Sequence, residues 1–389
     1  MKRLKTFLFL LIVLLFVFSY SFSQKIETVD GVRVIHNEKG GMWGSSPKVE
    51  LKLIQTIGDI NVEDENLAFR SPRDIVLDSA GNMYILDASN NRIQKLSPKG
   101  KFISSIGRRG QGPGEFYIPR SIEMDAKDNL HVFDAGNRRI QMFTSDGKVS
   151  KTIKFTQLSM YSIRLLKSRL LVMGGTINRR ILMDETKPLP KLLTVVDLEG
   201  KIKKEFGEIK DYKDVNVNSA ANWFDFDVDE SGNICLSFHR QNRIEKYTPD
   251  GKLLWKSDRT LNYDTKVHDK GFIKRDNKGT SIQAPTMNHV SQGISVDGKG
   301  RIWVNTFNRQ MTKEEMGMSV SVGGVIRKKQ EPKIQKMDIF KLEVFSPDGI
   351  LLGEIPLNHL AHGIRIFNDT LFIWDVQNTK YYQYEIVEK

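Results

Sequence analysis

One pattern recurs along this chain and limits what it can fold into. LDASNNRIQKLSPKGK spans residues 86–101, FDAGNRRIQMFTSDGK residues 133–148, and SFHRQNRIEKYTPDGK residues 237–252. The closing glycine turn returns in DLEGK (197–201) and SPDGI (346–350). Asp-Gly or Pro-x-Gly between short alternating runs is a hairpin signal. A second hairpin precedes most of these turns, at 75–87, 122–134, 226–238, 294–306 and 364–375, with a degenerate copy at 162–174. Each unit is therefore four short antiparallel strands in about 45–50 residues, the period and content of a propeller blade.

Counting fixes the number of blades. There are six first hairpins but five glycine turns, because the last unit reaches YYQYEIVE and the chain stops. An unassigned strand, VELKLIQTIG (49–58), resembles KFISSIG (101–107) and leads likewise to a Phe and a Pro: Phe69 and Pro72, as later Phe116 and Pro119. The expected fold is all-β: a six-bladed β-propeller of four-stranded antiparallel blades over residues 48–389. Its ring is closed by the N-terminal strand completing the last blade, which removes free sheet edges. Residues 24–47 form an extension whose VDGVRVIHN reads as a small hairpin with no assigned place.

The Pro-Arg-Asp-Ile, Gly-Asn-x-Tyr-Ile-x-Asp, Asn-x-Arg-Ile and Pro-x-Gly series, clearest over residues 71–107, 119–155 and 222–256, resembles that of NHL-repeat proteins. It is most similar to the exported bacterial six-bladed β-propeller group. The resemblance implies the fold and no particular activity. The repeated Asp, Asn and Arg (Asp87, Asn91, Arg92; Asp134, Asn137, Arg139; Asn242, Arg243) read as architecture. Asp and Asn bond the backbone of tight turns, and Arg forks between carbonyls or carboxylates of neighbouring segments. A ligand role for these arginines is the alternative.

Lys2, Arg3 and Lys5 precede an apolar run from Phe7 to Phe18, followed by small residues. This is the layout of a secretory signal peptide, 1–23, and the run falls short of the ~20 residues that span a bilayer. The expected location is periplasmic or secreted, with an uncleaved membrane anchor as the alternative. The single cysteine, Cys235, excludes an internal disulfide. The formal charge is +12, of which residues 1–23 contribute three. A basic exported protein meets anionic glycans, peptides or protein surfaces rather than nucleic acid. A monomer is expected.

The long inserts, at 108–118, 174–190, 208–222, 262–288 and 307–337, all fall in connections that share one face of a propeller. Long loops on one face of a rigid scaffold mark the recognition side. The residues that open the innermost strands ring the channel mouth there. Arg73, Asp74, Arg120, Tyr161, Trp223, Phe224, Asp225, Gln292 and His362 are therefore the candidate ligand-binding set, with Arg327 and Lys328 of the last insert as a basic flap. Two guanidiniums can grip a carboxylate or phosphate, and aromatics can stack on a sugar. The chain carries no Gly-x-Ser-x-Gly and no helical His pair, and Cys235 reads as a buried strand residue. The expected function is a non-catalytic recognition or scaffold propeller with no cofactor. The alternative is a hydrolase or lyase holding a metal at the same mouth through His289, His359 and His362.

Overall fold

The computed structural model describes residues 24–389 except 60, 62, 156–159, 168–169, 178, 185, 277–278, 317, 323–324, 331–333 and 335. For 160, 180, 273–276, 279–282, 316, 318–322 and 325–330 the backbone alone is described. The signal-peptide reading of residues 1–23 lies outside this set.

Six antiparallel sheets surround a central channel. Blade 1 is built from Pro72–Leu77, Met83–Asp87, Arg92–Leu96 and Phe102–Ile106; blade 2 from Pro119–Met124, Leu130–Asp134, Arg139–Phe143 and Val149–Lys154. Blade 3 comprises Met160–Leu165, Leu171–Gly175, Lys191–Val196 and Ile202–Glu208; blade 4, Phe224–Val228, Ile234–Phe238, Ile244–Tyr247 and Leu253–Arg259. Blade 5 is Ser291–Val296, Ile302–Phe307, Phe340–Phe345 and Leu351–Pro356. Blade 6 runs Ile364–Phe367, Thr370–Asp375 and Lys380–Glu388, and its outermost strand is Val49–Ile57, paired antiparallel from Val49 opposite Glu388 to Ile57 opposite Tyr381. The first strand of the ring thus completes the last blade.

The second strand of each blade is sandwiched between neighbouring blades, so both its faces are apolar: MYILD, LHVFD, LVMGG and ICLSF are buried along their whole lengths. Their side chains interlock between blades; Tyr84, Leu86 and Ile93 of blade 1 pack with Ile122, Val132 and Phe143 of blade 2. In blades 1 to 5 the third-to-fourth-strand pairing slips by one residue at the same place, after Lys95, Met142, Val195, Lys246 and Val344. The turn glycines there sit in the left-handed region, at φ 76° for Gly100 and 84° for Gly251, where a side chain would be strained.

In blades 1 and 2 the Asp–Asn–Arg set clamps the connection that enters the blade. Asp134 accepts from the Tyr117 amide (2.7 Å), Asn137 Nδ2 (2.8 Å) and Arg139 Nε (2.9 Å), while Arg139 donates onward to the carbonyls of Gln111, Gly112 and Glu115. In blade 1 the amide partner of Asp87 is Asn90 at 2.7 Å, whereas Asn91 takes a left-handed conformation instead.

Residues 25–37 form a hairpin, Lys25–Val29 with Val32–Asn37, and its second strand adds in parallel to the outer edge of blade 4. Asn37 pins it. Its side chain donates to Ser257 Oγ (2.8 Å) and to the carbonyls of Asp258 and Gly349, and accepts from the Leu351 amide (2.8 Å). The chain then crosses the edge of blade 5, where the Met42 and Trp43 amides donate to Leu351 and Leu352, before pairing in blade 6. Residues 25–57 are therefore a belt over the outer edges of blades 4, 5 and 6.

Candidate functional site

In four blades the first ladder contains a bulge. Arg73, Arg120 and Tyr161 are the extra residues in blades 1, 2 and 3, and Gln292 lies within the equivalent irregularity of blade 5. A bulge releases one side chain from the alternation of its strand, and here it turns that side chain to the channel mouth. The mouth encloses a cavity of about 350 Å³ lined by Arg73, Asp74, Arg120, Tyr161, Asp225, Gln292 and His362, with Arg164, His239 and Trp374 also contributing.

Arg73 and Arg120 converge on one oxygen. Each donates to the Tyr161 hydroxyl, Arg120 at 3.2 Å, and the Arg120 guanidinium lies 4.9 Å from the ring centroid. Neither forms an ion pair among the described residues, although both are half-buried. Burial, and then the like charge of Arg73, lowers the pKa of Arg120. Two cations sharing a neutral acceptor leave positive potential unspent, which an anion would neutralise.

Below them all six blades join in a plug. Arg365 reaches Glu123 (2.9 Å) and Asp74 (3.4 Å); Arg164 reaches Asp227 (3.2 Å) and Glu123 (3.4 Å). Ser121 donates to Asp74 and Ser295 to Asp227. Burial raises the Glu123 pKa against the pull of both arginines. Asp74 is consequently a floor residue already engaged by protein partners.

Asp225 and His239 pair at 2.8 Å on the opposite wall. Burial alone would raise the Asp225 pKa, but the charge and hydrogen bond of His239 hold it below the usual carboxylate range. His362 Nδ1 accepts from the Val376 amide at 3.1 Å, so the neutral ring carries its proton on Nε2. Burial lowers its pKa, with Asp375 opposing.

Trp223 stands at the rim, 38% exposed, 5.9 Å from the Tyr161 ring and 6.1 Å from His239. Phe224 is not at the mouth. The first ladder of blade 4 is regular, so Phe224 keeps strict alternation and points into the core against Phe226 and Phe238. The Arg327 and Lys328 side chains lie outside the described set; their backbone forms part of a two-stranded ribbon in the blade 5 insert. Sequence reasoning missed His239, Trp374 and the plug. The signal available was a charged residue at one register position of several inner strands: Glu123, Arg164, Asp227 and Arg365.

The three histidines of the metal alternative do not converge. His359 donates or accepts at Tyr384 (2.8 Å) and stacks 3.9 Å from the Tyr382 ring, on the outside of blade 6. His289 lies 5.3 Å from Phe307 and does not line the cavity. Among the described residues no three His, Cys, Asp or Glu side chains gather into a set that could hold a metal ion. Burial pushes the His289 pKa down to about 4. A base with a depressed folded pKa costs stability as pH falls from the unfolded value to the folded one, so about 3 kcal/mol should drain away between roughly pH 6.5 and 4. Urea midpoints against pH should show this loss, and His289→Gln should flatten it.

A six-bladed β-propeller family model, DUF5128, matches residues 63–311, well over half of the chain. The chain belongs to the DUF5128 family. No curated protein matches its sequence. Among solved structures this DUF5128 propeller is similar to a DUF4221 family member from Bacteroides vulgatus, with TM-score 0.55 and 12% identity over 88% of this chain and 99% of that one. It is also similar to a protein of unknown function from Bacteroides thetaiotaomicron, with TM-score 0.51 and 12% identity over 94% and 83%. At such identity these likenesses speak for the fold alone. Among the described residues, no helix of the DUF5128 propeller is long and apolar enough to cross a membrane.

Proposed function

We propose that the protein is an exported, NHL-like recognition propeller that captures an anionic group at the channel mouth. The single observation behind this reading is the Arg73–Arg120 pair: two half-buried guanidiniums converge on the Tyr161 hydroxyl and neither has an ion-pair partner among the described residues. The fork geometry of arginine suits a carboxylate, whose two oxygens would take the donors that Tyr161 now shares. Gln292, His362 Nε2 and the Asp225–His239 pair offer donors and acceptors for ligand hydroxyls across the cavity. The basic and apolar opening of residues 1–23 supports export.

Calorimetric titration with galacturonate and with neutral galactose tests the proposal. Galacturonate should bind and galactose should not. Hydrogen bonds to charged groups predict that Arg73→Gln with Arg120→Gln weakens galacturonate by at least about tenfold. Equal binding of the acid and the neutral sugar, or an unchanged affinity in the double variant, would refute it.

A further inference from the structure

We infer that the mouth is the inner end of a trench that takes a linear acidic glycan, running outward between blades 1 and 2. This rests on the anion reading of the mouth and extends it to a ligand class.

A second cavity of about 380 Å³ adjoins the first and shares Arg73 and Arg120 with it. Two further arginines, Arg70 and Arg109, line its outer part, and no Asp or Glu does. None of the four arginine side chains has an ion-pair partner among the described residues. The contrast with their neighbours is direct. Arg108 pairs with Glu115 at 2.9 Å, and Arg92 with Asp87 at 3.1 Å. Arg109 instead lies 5.6 Å from the centroid of the Tyr117 ring. Four uncompensated cations in one continuous groove form an electrostatic track for repeated negative charge.

The wall of the trench is held in shape. Ile118 has φ 53°, a left-handed conformation that is an outlier for a β-branched residue. It persists because its amide donates to Asn91 Oδ1 (3.0 Å) and the neighbouring Tyr117 carbonyl accepts from the Gly136 amide (2.8 Å). A Cβ on Gly136 would meet that carbonyl oxygen at 2.3 Å, so the close approach requires glycine. Strain of this kind gathers at ligand clamps. It presents Tyr117 and Ile118 at 38% and 41% exposure.

Aromatic faces beside the cations favour a glycan over an acidic peptide. Tyr117 stands next to Arg109 at the outer end, and Tyr161 with Trp223 stands next to Arg120 at the inner end. Each pairing offers a flat face for a sugar ring and a guanidinium for its acid group. An extended peptide would seek a free strand edge for its backbone, and the trench is lined from connections and strand starts instead.

The test uses galacturonate, a linear hexagalacturonate and hexaglutamate, titrated into the purified protein and into the Arg70→Gln/Arg109→Gln double variant. Hexagalacturonate should bind the native protein tighter than galacturonate. Exposed charge contacts of this kind predict a loss of about two- to tenfold for the hexamer in the double variant, with galacturonate unchanged. Galacturonate binding with no gain from chain length, or a gain that survives the double variant, overturns the trench and leaves the mouth reading standing. Hexaglutamate binding as tightly as hexagalacturonate overturns the glycan assignment. Failure of both sugar acids to bind overturns the trench and the mouth reading together.

Discussion

A chain that begins at Asp59 is expected to lose cooperative folding. Removing Val49–Ile57 strips the outermost strand of blade 6, exposes the edge of Lys380–Glu388, and uncovers the site of Val49 and Ile57, 2% and 3% exposed. Burying two such side chains is worth about 3–6 kcal/mol, against a net stability of roughly 5–15 kcal/mol for a typical domain. The freed edge should also recruit other chains. Circular-dichroism melting and gel filtration would show a broad, early transition and association. A melting temperature within a few degrees of the full chain would mean that the ring holds without its clasp. A milder variant reports on the same junction. Gly58 has φ 78°, and a Cβ there would lie 2.6 Å from both the Phe69 ring and the Thr379 carbonyl oxygen. Gly58→Ala should cost about 3 kcal/mol, from the left-handed backbone and the overlap together.

The second large effect is expected in the plug. Arg365→Met removes the cation that faces Asp74 and Glu123, leaving buried carboxylates short of a partner, a change that typically costs about 3–5 kcal/mol. Glu123→Gln is expected to be nearly neutral, because it leaves Arg164 and Arg365 opposite Asp74 and Asp227. The pH dependence separates the two roles. Burial holds the Glu123 pKa above its ordinary value. As pH rises past the unfolded value, the unfolded chain releases that proton while the folded chain retains it. The native protein should therefore lose stability relative to Glu123→Gln as pH climbs through that interval, and the gap should stay constant above the folded value. Urea midpoints across the acid-to-neutral range measure it. An Arg365→Met protein as stable as the native one would show that the plug is dispensable.

The ring was readable because blade strands are short, apolar and punctuated by glycine turns that recur at a similar spacing through the first four blades. The strand that closes blade 6 was readable because the last unit lacks a partner. The mouth was readable only in part. Counting residues from each inner strand assumes the same local geometry in every blade, and the bulges that turn Arg73, Arg120 and Tyr161 to the channel are absent from blade 4, so Phe224 went to the core. His239 and Trp374 reach the cavity from the ends of second strands, which the register argument did not consult. The place of residues 25–37 was not legible at all. Parallel addition to an outer edge asks for no particular side chains, and Asn37, which fixes it, is one polar residue among many.

Closure by the first strand bears on how the molecule is made. Val49 meets Glu388, so the first strand of the ring finds its partner only after the last blade has been synthesised. Contacts this distant in sequence slow folding. Until they form, the nascent chain carries an open sheet edge at each end. Ring closure is therefore expected to be a late step in folding, with the unpaired edges open to association until it occurs.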